Sequence, residues 1–483
     1  MTPIRIHPDN QKLFEFRGRP LVLVTATEHY GAVMNRPFRY QRYLQDAAAR
    51  GITLTRLFVL FRELQAPTNP YSTCKPESPD YVSPFLRTGP GTAPDGQPKY
   101  DLDRTNPEFW ERLHGFLGLA SDLGVIVEVT LLSNTYSPEI WSLNPLHHAA
   151  NVNGLPQIPW QEWLTRRHPE VFARQVAHVR RVVSETRRYD NVIYEICNEP
   201  GGWGEGSPHP SREEVNAWQR EIAAAIREAD AGAGHLVSGQ EAFCYDPWEQ
   251  GTDRSSHEMT LDVVNVHPLP GTALGGKTYD MGAFMSKRLR LRAVRDFCRA
   301  AYALPQPINL DEDNAASQYK DREGWTIHRK RAWTALLCGA HYDYIDFSII
   351  NYCERGTPQS RRHIRAWMGH LAGFVHSLDL ARARPAPRLV QAQPEHTVEA
   401  VLAVPGEDYR IYLADERELD EPGAGDPLRG DLVLDLPEGG YRADCFSPET
   451  GLYSPAVPLT GGPGARLHLP EFRQDVAVRI VRG

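Results

Sequence analysis

Basic blocks are missing from this 483-residue chain: its 53 Lys and Arg are outnumbered by 61 Asp and Glu, for a formal net charge of -8. Without such a footprint nothing neutralises a nucleic-acid backbone or grips an anionic membrane surface, so both partners are excluded. No apolar run reaches the roughly 18 residues that a membrane-spanning helix needs. The opening Met-Thr-Pro-Ile-Arg-Ile-His lacks a basic stretch ahead of an apolar core. It does not read as a secretory leader, and a cytoplasmic protein is expected, or a secreted one if a leader has been removed. Cysteine is sparse: seven residues form an odd set with no Cys-x-x-Cys pair, which fits a reducing compartment better than a disulfide scaffold.

What is present is an ordinary globular composition, 41% hydrophobic and 24% charged, with no long disorder expected. The length leaves room for one large barrel and an accessory module. Short apolar runs at 21–24, 52–59, 125–132, 191–198, 235–241, 263–267, 308–314 and 344–350 read as strands. Helical spacing separates them at 40–50, 106–123, 170–188, 212–229, 284–303, 325–338 and 361–378. Ser211, with Glu214 three residues on, makes a capping box for the fourth of these helices. A small hairpin around Asp9-Asn10 precedes the first strand. Residues 382–387 have the composition of a linker. Beyond them, alternating runs at 397–404, 409–414, 431–436, 440–446 and 476–481 predict a small antiparallel sandwich. The expected fold is therefore α/β: a (β/α)8 TIM barrel over 1–380 with its N-terminal hairpin, a linker at 381–387, and an appended C-terminal antiparallel β-sandwich over 388–483.

Two long excursions interrupt the barrel pattern. Residues 62–103 are rich in Pro, Gly, Ser and Thr without periodicity, and a loop of that length suits a lid over a site. Residues 133–169 carry Tyr136, Trp141, Trp160, Trp163 and the pair His147-His148. Indole faces are good platforms for the C–H faces of sugar rings, so Trp141 would suit a subsite wall, and folding the loop onto the barrel explains it equally well. Trp203, in a Gly-rich stretch, is a second candidate platform. His29 stands in the polar and aromatic group at the carboxyl end of the first strand.

The chain is organised around residues 191–200, Asn-Val-Ile-Tyr-Glu-Ile-Cys-Asn-Glu-Pro. The apolar run ends in Asn198 and Glu199, which places them at the carboxyl end of a strand, where barrels of parallel strands keep their chemistry. This stretch resembles the fourth strand of the clan-A glycoside hydrolases, the cellulase superfamily of (β/α)8 barrels, whose Asn-Glu-Pro carries the general acid/base. The resemblance implies further positions. Arg56, inside the second apolar run, falls where an Arg orients the nucleophile, although an Arg with its head in solvent is the plainer reading. Glu312, counted from Pro307 along a short apolar strand, falls on the nucleophile of the seventh strand. His267 falls on an active-site His of the sixth, but Leu269 stands where those families often keep a Tyr. No Trp ends the eighth strand; Phe347, Asn351 or Tyr352 would have to floor the sugar site. Residues 444–451 resemble the Pro-x-Thr-Gly hairpin of C-terminal modules attached to apiosidase-like barrels, with no chemistry implied.

Strands four and seven lie nearly opposite in an eight-strand ring, so Glu199 and Glu312 should face each other across a substrate. Breaking a glycosidic bond needs a proton for the leaving oxygen and stabilisation of an oxocarbenium-like centre, and two opposed carboxyls supply both. Glu199 would donate the proton, with its pKa raised, Glu312 would stay ionised and attack, and Asn198 would bind the 2-hydroxyl. Asp311 and Asp313 should point away from Glu312, since strand residues alternate faces. The expected function is a retaining, exo-acting O-glycoside hydrolase on a carbohydrate substrate, with no metal and no organic cofactor. A glycan-binding barrel without activity is the alternative. A metal-dependent barrel hydrolase using His29, His267 and Asp311 is the more distant one. Oligomeric state stays open, a homo-oligomer included.

Overall fold

The computed structural model describes residues 2–25, 31–60, 79–135, 137–201, 209–242, 249–251, 261–282, 286–313, 319–344 and 358–483. Seven parallel strands form the central sheet in the spatial order Leu54–Phe58, Ile126–Ser133, Val192–Asn198, Leu236–Gly239, Val263–Val266, Ile308–Asp313 and His341–Tyr344. Every residue of these strands is buried, which is why the runs lack a polar outward face and read as continuous apolar segments. Among the described residues, single contacts rather than an eighth full strand close the ring. Val24 bridges to Tyr342 in parallel, the Thr25 N–H donates to the Tyr342 carbonyl at 3.2 Å, and the Thr53 N–H donates to the Val24 carbonyl at 3.1 Å. The first strand expected at 21–24 is thus divided. Arg19–Leu21 joins Arg5–His7 and Asn10–Phe16 in an antiparallel sheet of three, and only the following residues reach the barrel.

That N-terminal sheet seals the barrel's amino-terminal end. Ile4, Phe14 and Phe16 pack with Leu23, Leu54, Ile126, Ile193, Leu236 and Val263, the last five standing at or next to the first residue of their strands. The barrel floor is therefore apolar and shut, and chemistry is confined to the opposite end.

Helices Tyr40–Ala49, Pro107–Leu123, Pro169–Thr186, Arg212–Asp230, Leu291–Ala301, Arg322–Leu337 and Pro358–His376 pack around the sheet. Their ends follow local chemistry. Asn106 accepts from the Glu108 N–H ahead of Pro107, Gly124 stops that helix in the left-handed conformation at φ 75°, and Ser211 and Glu214 form the reciprocal capping box. The helix expected from 284 begins only at Leu291, preceded by Arg290 at φ 45°. The eighth strand lies at His341–Tyr344 instead of 344–350, and 345–350 fall outside the described residues. Part of the excursion expected to be structureless is a hairpin, Phe85–Thr92 against Pro98–Thr105.

In the C-terminal module all pairings are antiparallel, in the order Arg384–Pro385, Thr397–Val404, Asp408–Asp415, Asp475–Arg482, Asp431–Phe446 and Val390–Ala392, with Val457–His468 also on Asp431–Phe446. Two runs read separately, 431–436 and 440–446, are one bulged 16-residue strand. The sheet's two faces bury different cores. Val401, Ile411, Leu432, Leu434 and Val478 pack within the module, while Val398, Ala400, Tyr412, Phe446 and Ala477 pack on barrel residues such as Trp333 and Phe374. Trp333 stacks on Tyr412 with centroids 5.3 Å apart. Beside it, Arg329 grips Asp475 through two hydrogen bonds of 2.7 and 2.9 Å.

Candidate active site

Because strand side chains alternate, the residue two positions after each floor residue also points into the barrel. Leu54 is followed by Arg56, Ile126 by Glu128, Ile193 by Glu195, Leu236 by Ser238 and Val263 by Asn265. A polar layer therefore lies directly on the apolar floor. Arg56 is its centre, with no solvent exposure. Its Nε and Nη2 donate to the two oxygens of Glu195 at 2.8 and 2.7 Å, and Nη2 also donates to Asn198 Oδ1 at 2.8 Å. Nη1 donates to Glu312 Oε1 at 2.5 Å, and Asp311 Oδ2 lies 3.3 Å from Nη2. The reading of Arg56 as a solvent-facing head is excluded.

Sequence reading assigns Glu128 and Glu195 no role, although each is a carboxylate inside an apolar run, between Val127 and Val129 and between Tyr194 and Ile196. Glu195 accepts from Thr130 Oγ1 at 2.5 Å and from Asn265 Nδ2 at 3.3 Å. Glu128 accepts from Ser238 Oγ and, at 3.0 Å, from Asn265 Nδ2. Burial, reinforced by the nearby charges of Glu195 and Asp311 and opposed by Arg56, pushes the Glu128 carboxyl up to about 8. At neutral pH it is a neutral acid shaped like glutamine. An unfolded Glu titrates near 4.3, so the native state holds an extra proton between that pH and about 8, and stability declines as pH rises through this window. Glu128→Gln is expected to fold and work as wild type at pH 6 and to be the more stable of the two at pH 8.5, by on the order of 2–4 kcal/mol. Urea unfolding at the two pH values checks this, and a variant that tracks wild type at both would show Glu128 ionised throughout.

Above this layer stand Glu199, His267 and Glu312. Both glutamates occupy the left-handed region, at φ 46° and φ 50°, a conformation uncommon outside glycine and concentrated at functional sites. For Glu312 the cause is a bulge: Leu310 pairs with Tyr342 but Asp313 pairs with Tyr344, so one extra residue is accommodated. Asp311 and Glu312 consequently both face inward, and the expectation that Asp311 would point away is corrected. Asp313 alone turns outward, onto Arg331 at 2.7 Å and the Tyr342 hydroxyl at 2.7 Å. For Glu199, Asn134 holds the backbone: its Nδ2 donates to the Glu199 carbonyl at 3.1 Å and to that of Gly201 at 3.0 Å. Asn134 is a supporting residue that sequence reading passed over, since it lies just beyond its strand.

His267 Nδ1 lies 3.0 Å from Glu199 Oε1 and 3.9 Å from Glu312 Oε2, while Nε2 lies 3.3 Å from Asp311 Oδ2. Burial favours the neutral ring, but Glu312, Asp311 and Glu199 outweigh it and raise the His267 pKa well above the usual value. Burial likewise pushes Glu312 up to about 7 against the opposing pull of His267 and Arg56. Asp311 goes the other way: Arg56 and His267 overcome its burial and hold it down to about 2.

One oxygen each of Glu199 and Glu312 and one His267 nitrogen all lie within 4.8 Å of one another. Such a set could also gather around a cation, as could Glu128, Glu195 and Asp311. Of the remaining sequence candidates, Trp141 is buried, at 3% exposure, with its ring 5.4 Å from Trp163. It anchors the loop and offers no open face to a sugar, which corrects its reading as a subsite wall. His29, Trp203 and Tyr352, with Phe347 and Asn351, lie outside the described residues.

A family model described only as a domain of unknown function, DUF6298, matches residues 75–136. No curated protein matches the chain. Among solved structures, a glycoside hydrolase family 5 protein from Bacteroides vulgatus superposes with a TM-score of 0.64 at 12% identity, covering 99% of this chain and 94% of its own. A second structure, described as a glycoside hydrolase, gives 0.63 at 12% identity, covering 100% and 97%. The shared property is the fold. Barrel and C-terminal module are matched together, and both neighbours are described as glycoside hydrolases, the first of family 5.

Proposed function

We propose that the chain is a retaining O-glycoside hydrolase in which Glu312 is the nucleophile and Glu199 the general acid/base. The observation that carries this reading is the convergence of the two carboxyls, within 4.8 Å at their nearest oxygens and joined through His267. Retaining enzymes hold their carboxyls about 5–5.5 Å apart, whereas inverting ones need roughly 6.5–9.5 Å to seat a water between them. Ionised Glu312 attacks the anomeric carbon as Glu199 passes its proton to the departing oxygen. Water, deprotonated by Glu199, then releases the sugar from Glu312. Arg56, donating to Glu312 Oε1, favours the ionised nucleophile, and Asn198, held by the same guanidinium, would bind the 2-hydroxyl.

The chain's substrate is a carbohydrate, taken at a chain end or as a small glycoside. Among the described residues Cys197, Cys298, Cys338 and Cys445 are free, and no helix is long and apolar enough to cross a membrane. The test is hydrolysis of a panel of aryl pyranosides and furanosides, with the first-formed anomer followed by NMR. Retention is the expected result; an inverted product would overturn the double-displacement reading. A metal-dependent hydrolase is the second reading, favoured by the Glu199–His267–Glu312 set; activity that survives EDTA dialysis rules against it.

A further inference from the structure

The acidic tip Asp311-Glu312-Asp313 has only its middle residue accounted for by the proposed chemistry. We propose that Asp311 is a positioning residue whose carboxylate ties the two halves of the site together, reaching Glu199 through His267 and Glu312 through Arg56. The inference rests on the glycosidase reading above and extends it.

The geometry is a closed circuit. Asp311 Oδ2 lies 3.3 Å from both His267 Nε2 and Arg56 Nη2. The far side of the imidazole is 3.0 Å from Glu199 and 3.9 Å from Glu312, and the far side of the guanidinium is 2.5 Å from Glu312. Asp311 is fully buried, so moving it disturbs both arms and no water competes for its oxygens. The position depends on the bulge: without the extra residue between Leu310 and Asp313, Asp311 and Glu312 would sit on opposite faces of the strand. Leu269 is buried at 5% exposure, and the His267 ring stands between the two glutamates.

Several groups face His267. Glu199, Glu312 and Asp311 surround the ring, the Gln240 amide lies 3.3 Å from Nε2, and the Asp343 carboxyl faces Asp311 from the neighbouring strand. Asp311 and Glu312, with the Glu199 carboxyl beside them, favour the charged ring, in which Nδ1–H donates to Glu199 and Nε2–H to Asp311. Removing the charge of Asp311 weakens that hold and also relieves its repulsion of Glu312. Both changes act in the same direction on the pH axis.

The decisive experiment compares wild type and Asp311→Asn in pH profiles of kcat/KM on whichever glycoside the panel identifies. The variant is expected to lose roughly tenfold to a hundredfold in kcat, with KM changed less than about threefold, because the loss is of orientation. The acidic limb of its pH profile, set by ionisation of Glu312, should shift to lower pH, and the His267 ring should lose its second proton at lower pH than in wild type by NMR, displacements that general loosening of the fold would not produce. A profile and kcat like wild type would overturn the proposal. In wild type alone, the imidazole of His267 should keep two protonated nitrogens by NMR to a pH well above that at which a free imidazole titrates; a ring that titrates like a free imidazole would also overturn the proposal, whether or not the variant folds. Glu199→Ala and Glu312→Ala run alongside separate the two claims. If neither glutamate variant is impaired, the glycosidase reading fails; if both are impaired while Asp311→Asn behaves as wild type, only the Asp311 proposal fails.

Discussion

Glu312→Ala is expected to lower kcat for any cleaved glycoside by about 10,000-fold or more, the scale on which removal of a covalent nucleophile acts. The cavity left beneath the anomeric carbon should then admit azide, which attacks in place of the carboxylate. Because azide enters from the nucleophile's face and is not displaced again, the product should be a glycosyl azide of inverted configuration. Glu199→Ala should behave differently. Its loss depends on how much the leaving oxygen needs a proton, so hydrolysis of a dinitrophenyl glycoside should suffer far less than that of a methyl glycoside, where the deficit should approach 10² to 10⁴, the range for general acid catalysis. Azide rescue in that variant should give a product of retained configuration, since the azide then intercepts the sugar on Glu312. Opposite anomers from the two variants would assign both roles. Identical anomers, or no dependence on the leaving group, would contradict the assignment of nucleophile and acid made here.

Sequence reasoning reached the barrel because its central strands are buried on both faces and so appear as short apolar runs rich in β-branched residues, Val263-Val264-Asn265-Val266 among them. It reached Arg56 through the resemblance, and an Arg buried inside such a run needs carboxylate or carbonyl partners. The same logic applied to Glu128 and Glu195 would have exposed the polar layer, and there the signal was present but unused. Other features were less legible. The hairpin Phe85–Thr92 is built around Gly89, Pro90 and Gly91, residues that usually mark loops, and its alternation is broken by register shifts. Val457–His468 contains Gly461, Gly462, Pro463 and Gly464 and was passed over in the same way. The inward turn of Asp311 could not be had from alternation at all. It depends on a one-residue bulge, and whether a strand carries one is settled by pairing with a neighbour distant in sequence.

The second large effect is expected at Arg56. Its guanidinium is the cation shared by Glu195, Asp311 and Glu312, all buried, and by the Asn198 amide oxygen. Replacing it with Met keeps much of the volume and leaves those carboxylates facing one another in a medium that screens poorly. Breaking a buried ion pair by deleting one partner typically costs about 3–5 kcal/mol, and here three acids lose the same partner. The cell interior of the barrel can answer only by taking up protons, so the deficit should be largest near pH 8 and smaller near pH 5, where Glu312, already held up to about 7 by burial, is neutral in both proteins. Arg56→Lys should recover part of the stability but little activity, because a single ammonium cannot reproduce the paired hydrogen bonds to Glu195 while also reaching Glu312. Chemical denaturation at both pH values, together with kcat for each variant, tests the argument. A stability loss independent of pH would mean that Arg56 acts through packing over Phe58, whose ring lies 5.0 Å from the guanidinium carbon. A fully active Lys variant would mean that one positive charge at this depth is all the nucleophile requires.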